Sequence, residues 1–200
     1  MRIRPAIKRV GTLAGVALLV TSPAFAHGES DQAGGFLAGL AHPVAGLDHV
    51  LAMIAVGLWG AQLGKPALWV LPVVFPIVMA LGGLAALLGL PLARVEIGIA
   101  VSAIVLGVAV AGALRAPLPL ALAGVAAFAV FHGYAHGAEL PNGQGPLAYS
   151  AGFVTATGLL HAAGIGLGFM DRLPRGAACV RGLGAAIACG GAVFLWRAIQ

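Results

Sequence analysis

The sequence predicts an all-α integral membrane protein, a bundle of six transmembrane helices that follow a cleavable N-terminal signal peptide. Composition is the first reason: of 200 residues, 60% are hydrophobic and 8% are charged, and the mean hydropathy is +1.02. Soluble domains carry roughly 25% charged residues and disordered chains hold few apolar ones, so both classes are excluded. The second reason is that apolar runs of membrane-spanning length recur between short breaks rich in proline, glycine and arginine.

Residues 1–26 have the three parts of a secretory signal peptide. Four basic residues precede an apolar run at 10–20, and Ala24-Phe25-Ala26 fits a cleavage site. The alternative, an uncleaved anchor helix, is disfavoured because the run is shorter than the ~20 residues of a span. Cleavage leaves one transmembrane domain, residues 27–200, with seven basic and six acidic side chains. The pI of about 10.0 therefore gives no reason to expect a nucleic-acid partner.

The remaining apolar runs predict both the spans and their orientation. We expect helices at about 43–63, 67–89, 95–114, 117–136, 147–170 and 177–197. Short connections make consecutive helices antiparallel, and a signal peptide places the mature N-terminus outside. Most basic residues of the mature chain then fall on the inner side: Lys65, Arg115, Arg172, Arg175 and Arg181. We therefore expect a multi-pass protein of the bacterial inner membrane whose mature N-terminus is periplasmic.

Titratable residues are grouped at the start of the first predicted span. His42, Asp48 and His49 occur there, and the two histidines are seven residues apart. In one continuous helix this spacing places both imidazoles on one face, with Asp48 beside them. Asp48 could bind an ion directly or orient His49 as a hydrogen-bond acceptor.

A second group lies at the end of the fourth predicted span. His132 and His136 are four residues apart and share a helix face, which Glu139 extends if the helix reaches it. The topology places this end and the start of the first span on the same, outer side. His161, in the fifth span, is expected deeper in the bundle.

Three further residues are weaker candidates. His27 and Glu29 follow the predicted cleavage site and could capture an ion together with the new α-amino group, or belong to a mobile tail. Glu96 opens the third span on the outer side, where it, like Glu139, could simply lie in headgroup water.

Several imidazoles with few carboxylates suit a borderline divalent cation such as Ni²⁺, Co²⁺, Zn²⁺ or Cu²⁺, whereas Mg²⁺ and Ca²⁺ prefer oxygen ligands. Polar groups at membrane depth are costly, so we interpret these histidines as functional. For His161 alone, a hydrogen bond between helices is an equally good explanation.

Three segments resemble the HupE/UreJ family, membrane accessory proteins associated with nickel hydrogenases and ureases. They are HPVAGLDH at 42–49, FHGYAHGAE at 131–139 and GFVTATGLLH at 152–161. The likeness covers nearly the whole mature chain. The first segment is also similar to the H-x4-D-H signature of nickel/cobalt permeases, although five residues here separate His42 from Asp48.

The resemblance implies secondary uptake of Ni²⁺, or Co²⁺, to supply maturation of a nickel enzyme, with no catalytic activity and no prosthetic group. The implied partners are the divalent ion, membrane lipids, nickel-enzyme maturation proteins and a second copy of the chain. No P-loop motif G-x4-G-K-[ST] occurs, so energy must come from gradients or a partner. The implied metal-binding residues are His42, Asp48, His49, His132, His136, Glu139 and His161.

Two other functions use the same residues. A zinc-dependent intramembrane hydrolase would hold its metal with three histidines and use Asp48 or Glu139 as general base. A haem protein would use His49 and His132 as axial ligands from facing helices.

Overall fold

The computed structural model describes residues 32–139 and 146–200. Within these ranges the chain forms seven α-helices and one 3-10 turn, Phe169–Arg172, and contains no strand. The α-helices are α1 Gln32–Ala45, α2 Leu47–Leu63, α3 Ala67–Leu87, α4 Val95–Ala111, α5 Leu118–Ala138, α6 Pro146–Gly168 and α7 Gly176–Ala198. The predicted signal peptide lies outside the described residues.

The predicted spans from residue 67 onward correspond to α3–α7, with ends that agree within three residues. Four helices (α3, α5, α6 and α7) are long and apolar enough to cross a membrane, and the bent pair of α1 and α2 makes five. Helix α4 is apolar but has only 17 residues. An all-helical chain with membrane-type helices is therefore confirmed, whereas the number of six spans stays a prediction.

The first predicted span, 43–63, is wrong as a single helix. Helices α1 and α2 meet at Gly46 with a bend of 83°. Gly46 has an extended backbone, φ −99° and ψ 110°, and a Cβ there would crowd the side chains of Asp48 and His49. Pro43 weakens the last turn of α1 because it has no N–H to donate. His42 and His49 therefore lie on two different helices, not on one face of one helix.

The helices alternate in direction, as the short connections predict. Gly107 of α4 lies against Gly184 of α7, and Ile104 lies against Gly191, so these two helices are antiparallel. By the same comparison of facing positions, α3 runs parallel to α5, and α2 runs parallel to α6. The N-terminal end of α2 and the C-terminal end of α5 therefore lie at the same end of the bundle.

The bundle is apolar outside and partly polar inside. Along α3, Val73, Ile77 and Leu81 are more than half exposed, while Leu71 and Phe75 are fully buried. An exposed apolar stripe of this kind is suited to lipid contact. The interior, in contrast, is partly polar: among the described residues, four polar side chains are at most 1% exposed, namely Ser102, His132, Thr157 and His161.

Three side chains donate to carbonyls at or just beyond the C-terminal end of α4, at the end of the bundle opposite His49. Gln62 donates to Val110 (3.1 Å), Arg181 to Ala111 (2.7 Å) and Trp59 to Leu114, in the turn after the helix (3.0 Å). The last carbonyls of an α-helix lack their usual intrahelical partner, so donors at this position stabilise its end. These bonds fix α2 and α7 to α4, and Arg181 places a basic group near the negative end of the α4 dipole.

The close contact of α4 and α7 depends on Gly184, and we expect Gly184→Ala to destabilise the protein. The new Cβ would collide with backbone atoms of Gly107 and Ala111. Overpacking of this kind costs about 1–3 kcal/mol, measurable as a lower melting temperature in detergent. Gly182→Ala, in the same helix, is the control, because a Cβ there meets nothing within 4 Å. Equal melting temperatures for the two variants would contradict this account of the contact.

Candidate metal centre

Four imidazoles from three helices contact one another. The ring centre of His136 lies 4.8 Å from that of His42 and 4.4 Å from that of His49. The ring centres of His49 and His132 are 4.8 Å apart. His132 and His136 project from adjacent turns of α5, His42 comes from α1 and His49 comes from α2. We call these four residues the histidine cluster.

The outer edge of the histidine cluster offers three ligand atoms close together. One atom each from His42, His136 and Glu139 lies within 4.8 Å of the others. His42 Nε2 is 3.5 Å from Glu139 Oε2, and the Glu139 side chain is 64% exposed. A cation arriving from outside could therefore reach this trio, which we call the outer site, without entering the bundle.

Asp48 binds the His49 ring. Its Oδ1 accepts the backbone N–H of His49 and lies 2.9 Å from Nδ1 of the same residue. An ionised carboxylate only accepts hydrogen bonds, so Nδ1 carries a proton, and in the neutral ring the lone pair is then on Nε2. Of the two roles that the sequence left open for Asp48, this geometry is the orienting one.

The histidines present buried ring nitrogens for which the described residues supply no hydrogen-bond partner. These atoms are Nε2 of His49, Nδ1 of His132, and both ring nitrogens of His136 and of His161. A buried polar atom left unpartnered costs about 1–3 kcal/mol. A divalent cation that accepts the lone pairs would remove part of that cost, so the arrangement is chemically suited to an ion.

Below the histidine cluster, Phe75 separates His132 from His161. Its ring centre is 5.5 Å from that of His132 and 5.3 Å from that of His161. Phe75 lies in α3 between Pro72 and Pro76. The Pro72 carbonyl approaches the His161 ring without completing a hydrogen bond. The Pro72 carbonyl has no hydrogen-bond partner within α3, because the residue four positions on is Pro76, which lacks an N–H.

Sequence reasoning missed four residues that contact the candidate ligands. Ser102 is hydrogen-bonded to His132, Phe75 separates two histidines, and Tyr149 and Phe153 pack against His42. Ser102 gave a signal, as the single hydroxyl in an apolar span, and Phe153 lies in the segment 152–161 that resembles the family. The aromatic residues look like ordinary lipid-facing or core side chains until the helices are assembled.

Two of the described candidates, Glu96 and His161, do not join the histidine cluster or the outer site. Glu96 is exposed in the first turn of α4. His27 and Glu29 lie outside the described residues. His161 is fully buried on the far side of Phe75.

Comparison with known proteins agrees with the motifs. A family model described as HupE / UreJ protein matches residues 15–194. The chain belongs to the HupE/UreJ family. One relative in this family, Protein HupE of Rhizobium leguminosarum bv. viciae, is 44% identical over 185 residues, which is 92% of this chain and 95% of the relative. No solved structure matches the chain. The HupE/UreJ resemblance drawn from the three sequence segments is thus confirmed.

For this HupE/UreJ protein we expect Asp48→Ala to weaken the binding of Ni²⁺ to the purified chain by about 10–100-fold. Loss of a carboxylate that orients a metal-binding imidazole typically has an effect of this size. Isothermal titration in detergent measures it. Asp171→Ala is the matched control, because Asp171 is an exposed carboxylate in the 3-10 turn. Equal affinities for the two variants would show that Asp48 does not support the site.

Proposed function

We propose that this chain is a secondary transporter that takes up Ni²⁺, or Co²⁺, across the bacterial inner membrane to supply the maturation of a nickel enzyme. The observation that carries the proposal is the contact among four imidazoles inside an apolar bundle. Membership of the HupE/UreJ family supports it. We propose no catalytic activity and no prosthetic group, and the cation is the cargo.

The donor set favours a borderline cation. The histidine cluster supplies neutral nitrogen ligands, and among the described residues two carboxylates, Asp48 and Glu139, lie against it. Hard cations such as Mg²⁺ and Ca²⁺ would need several more oxygen ligands. Ni²⁺ and Co²⁺ accept imidazole together with a carboxylate and water.

The order of contacts suggests the inward route. The cation first binds at the outer site, with His27 and Glu29 helping to collect it on the periplasmic side. It then passes to His49 and His132, since His136 contacts both His42 and His49.

Phe75 blocks the next part of the proposed route, between His132 and His161. Its side chain is fully buried between His132 and His161, so an ion that passes inward must displace it. His161, with the hydroxyl of Thr157 one turn earlier, would then receive the ion; both side chains are buried. The basic end of the bundle, which we assign to the cytoplasm, lies beyond them.

No observation favours the two rival functions. In a haem site a porphyrin would separate the two axial imidazoles, but the rings of His49 and His132 contact each other edge to face at 90°. A hydrolase would hold zinc tightly and move none. Metal analysis of the purified protein, its absorption spectrum and an uptake assay distinguish the three functions.

We expect His49→Ala and His132→Ala each to reduce uptake of radioactive Ni²⁺ by at least tenfold in cells that express equal amounts of protein. Each variant removes a ring of the histidine cluster. Tyr134→Phe is the control, since residue 134 lies between His132 and His136 in sequence but roughly 160° around the helix from His132. Wild-type uptake in both histidine variants would overturn the proposed route.

A competing-cation series tests the substrate in the same cells. We expect unlabelled Ni²⁺ and Co²⁺ to inhibit uptake of the labelled ion when they are added in micromolar excess over it. We expect Mg²⁺ and Ca²⁺ to have no effect even at concentrations roughly a thousandfold higher, on the order of millimolar, because imidazole binds them poorly. Inhibition by Mg²⁺ at the same concentration as Co²⁺ would contradict selection by nitrogen ligands.

A further inference from the structure

Ser102 makes two hydrogen bonds inside the bundle. Its Oγ is 2.6 Å from the carbonyl oxygen of Ile99, in its own helix, and 2.8 Å from Nε2 of His132 in α5. Both side chains are fully buried. Ser102 is therefore the direct partner of the deepest ring of the histidine cluster.

The two contacts determine where the hydrogens lie. A hydroxyl has one hydrogen to donate, and a carbonyl oxygen can only accept. The short contact with Ile99 therefore uses the Ser102 hydrogen. The contact with His132 then requires the ring to donate, so Nε2 of His132 carries a hydrogen.

The other ring nitrogen of His132 is left with a lone pair. Nδ1 is buried and has no partner within the described part of the chain. A second hydrogen on Nδ1 would create an imidazolium with an unpaired N–H in an apolar interior, which is strongly unfavourable. His132 is therefore neutral, and Nδ1 is its available ligand atom.

We infer that Ser102 is a positioning residue, which holds His132 as the Nε2–H tautomer so that Nδ1 keeps the lone pair that can bind the cation. The role of His132 as a ligand rests on the proposed function, whereas its tautomer does not. Asp48 does the opposite for His49, where Nδ1 carries the proton and Nε2 is free. A carboxylate and a hydroxyl from different helices thus fix neighbouring rings in complementary tautomers.

The tautomer can be read directly by ¹⁵N NMR of the full chain, labelled at histidine and reconstituted in lipid nanodiscs without metal. The His132 signal is assigned by its loss in His132→Asn. We expect the Nε2–H tautomer in the wild type. An Nδ1–H tautomer in the wild type would overturn the inference without the need for any Ser102 variant.

Variants of Ser102 test the cause. Ser102→Ala removes the acceptor, so we expect the His132 signal to shift towards the Nδ1–H tautomer and the dissociation constant for Ni²⁺ to rise about 10–100-fold. Ser102→Thr keeps a hydroxyl and should restore both values. Thr155→Ala is the matched control, because the Thr155 hydroxyl bonds only to Ala151 in its own helix.

The two readouts separate the inference from the proposed function. An unchanged tautomer and an unchanged Ni²⁺ affinity in Ser102→Ala would overturn the positioning role. A tautomer shift in Ser102→Ala, combined with no Ni²⁺ binding by the wild type, would support the positioning of His132 and overturn the proposed function. A melting temperature equal to that of the wild type shows that the Ser102→Ala protein is folded.

Discussion

The structure depends on the burial of several imidazoles in an interior that offers their nitrogens few partners. A membrane bundle normally avoids this, since an unsatisfied polar atom costs about 1–3 kcal/mol and lipid provides no water to replace the lost bond. The rest of the chain is built to tolerate the cost. Helices α4 and α7 approach closely through glycines, and side chains from α2 and α7 donate to carbonyls at and just beyond the C-terminal end of α4. The helix packing holds the rings together.

Because of the bend at Gly46, the histidine cluster extends from the exposed end of the bundle into its interior. In one straight helix, His42 and His49 would lie about 10 Å apart along a single axis. With an 83° bend, α1 packs on α6 and presents His42 at the exposed outer site, while α2 carries His49 inward. His136 can then contact both rings. A single residue of α5 thereby connects an exposed group of ligands with a buried one.

The sequence predicts the features that are set by the membrane and by helix period. Bilayer thickness limits the length of an apolar run, so α3 to α7 could be located within three residues, and the four-residue spacing of His132 and His136 places both rings on one face. The bend could not be predicted, because membrane helices tolerate proline and glycine and the pattern at 43–46 is compatible with a continuous span. Ser102 and Phe75 could not be assigned either, since their roles arise only when α4 packs beside α5 and α3 lies between α5 and α6.

A transport site must hold its ion strongly enough to replace hydration but weakly enough to release it. Ligands that form one closed cage would meet only the first requirement. Here the candidate ligands are distributed: Glu139 and His42 lie outside, His49 and His132 lie inside, and His136 contacts members of both sets. An ion on the proposed route can therefore exchange ligands one at a time. With the inferred tautomers, His49 and His132 would each offer a lone pair to the ion without first moving a proton.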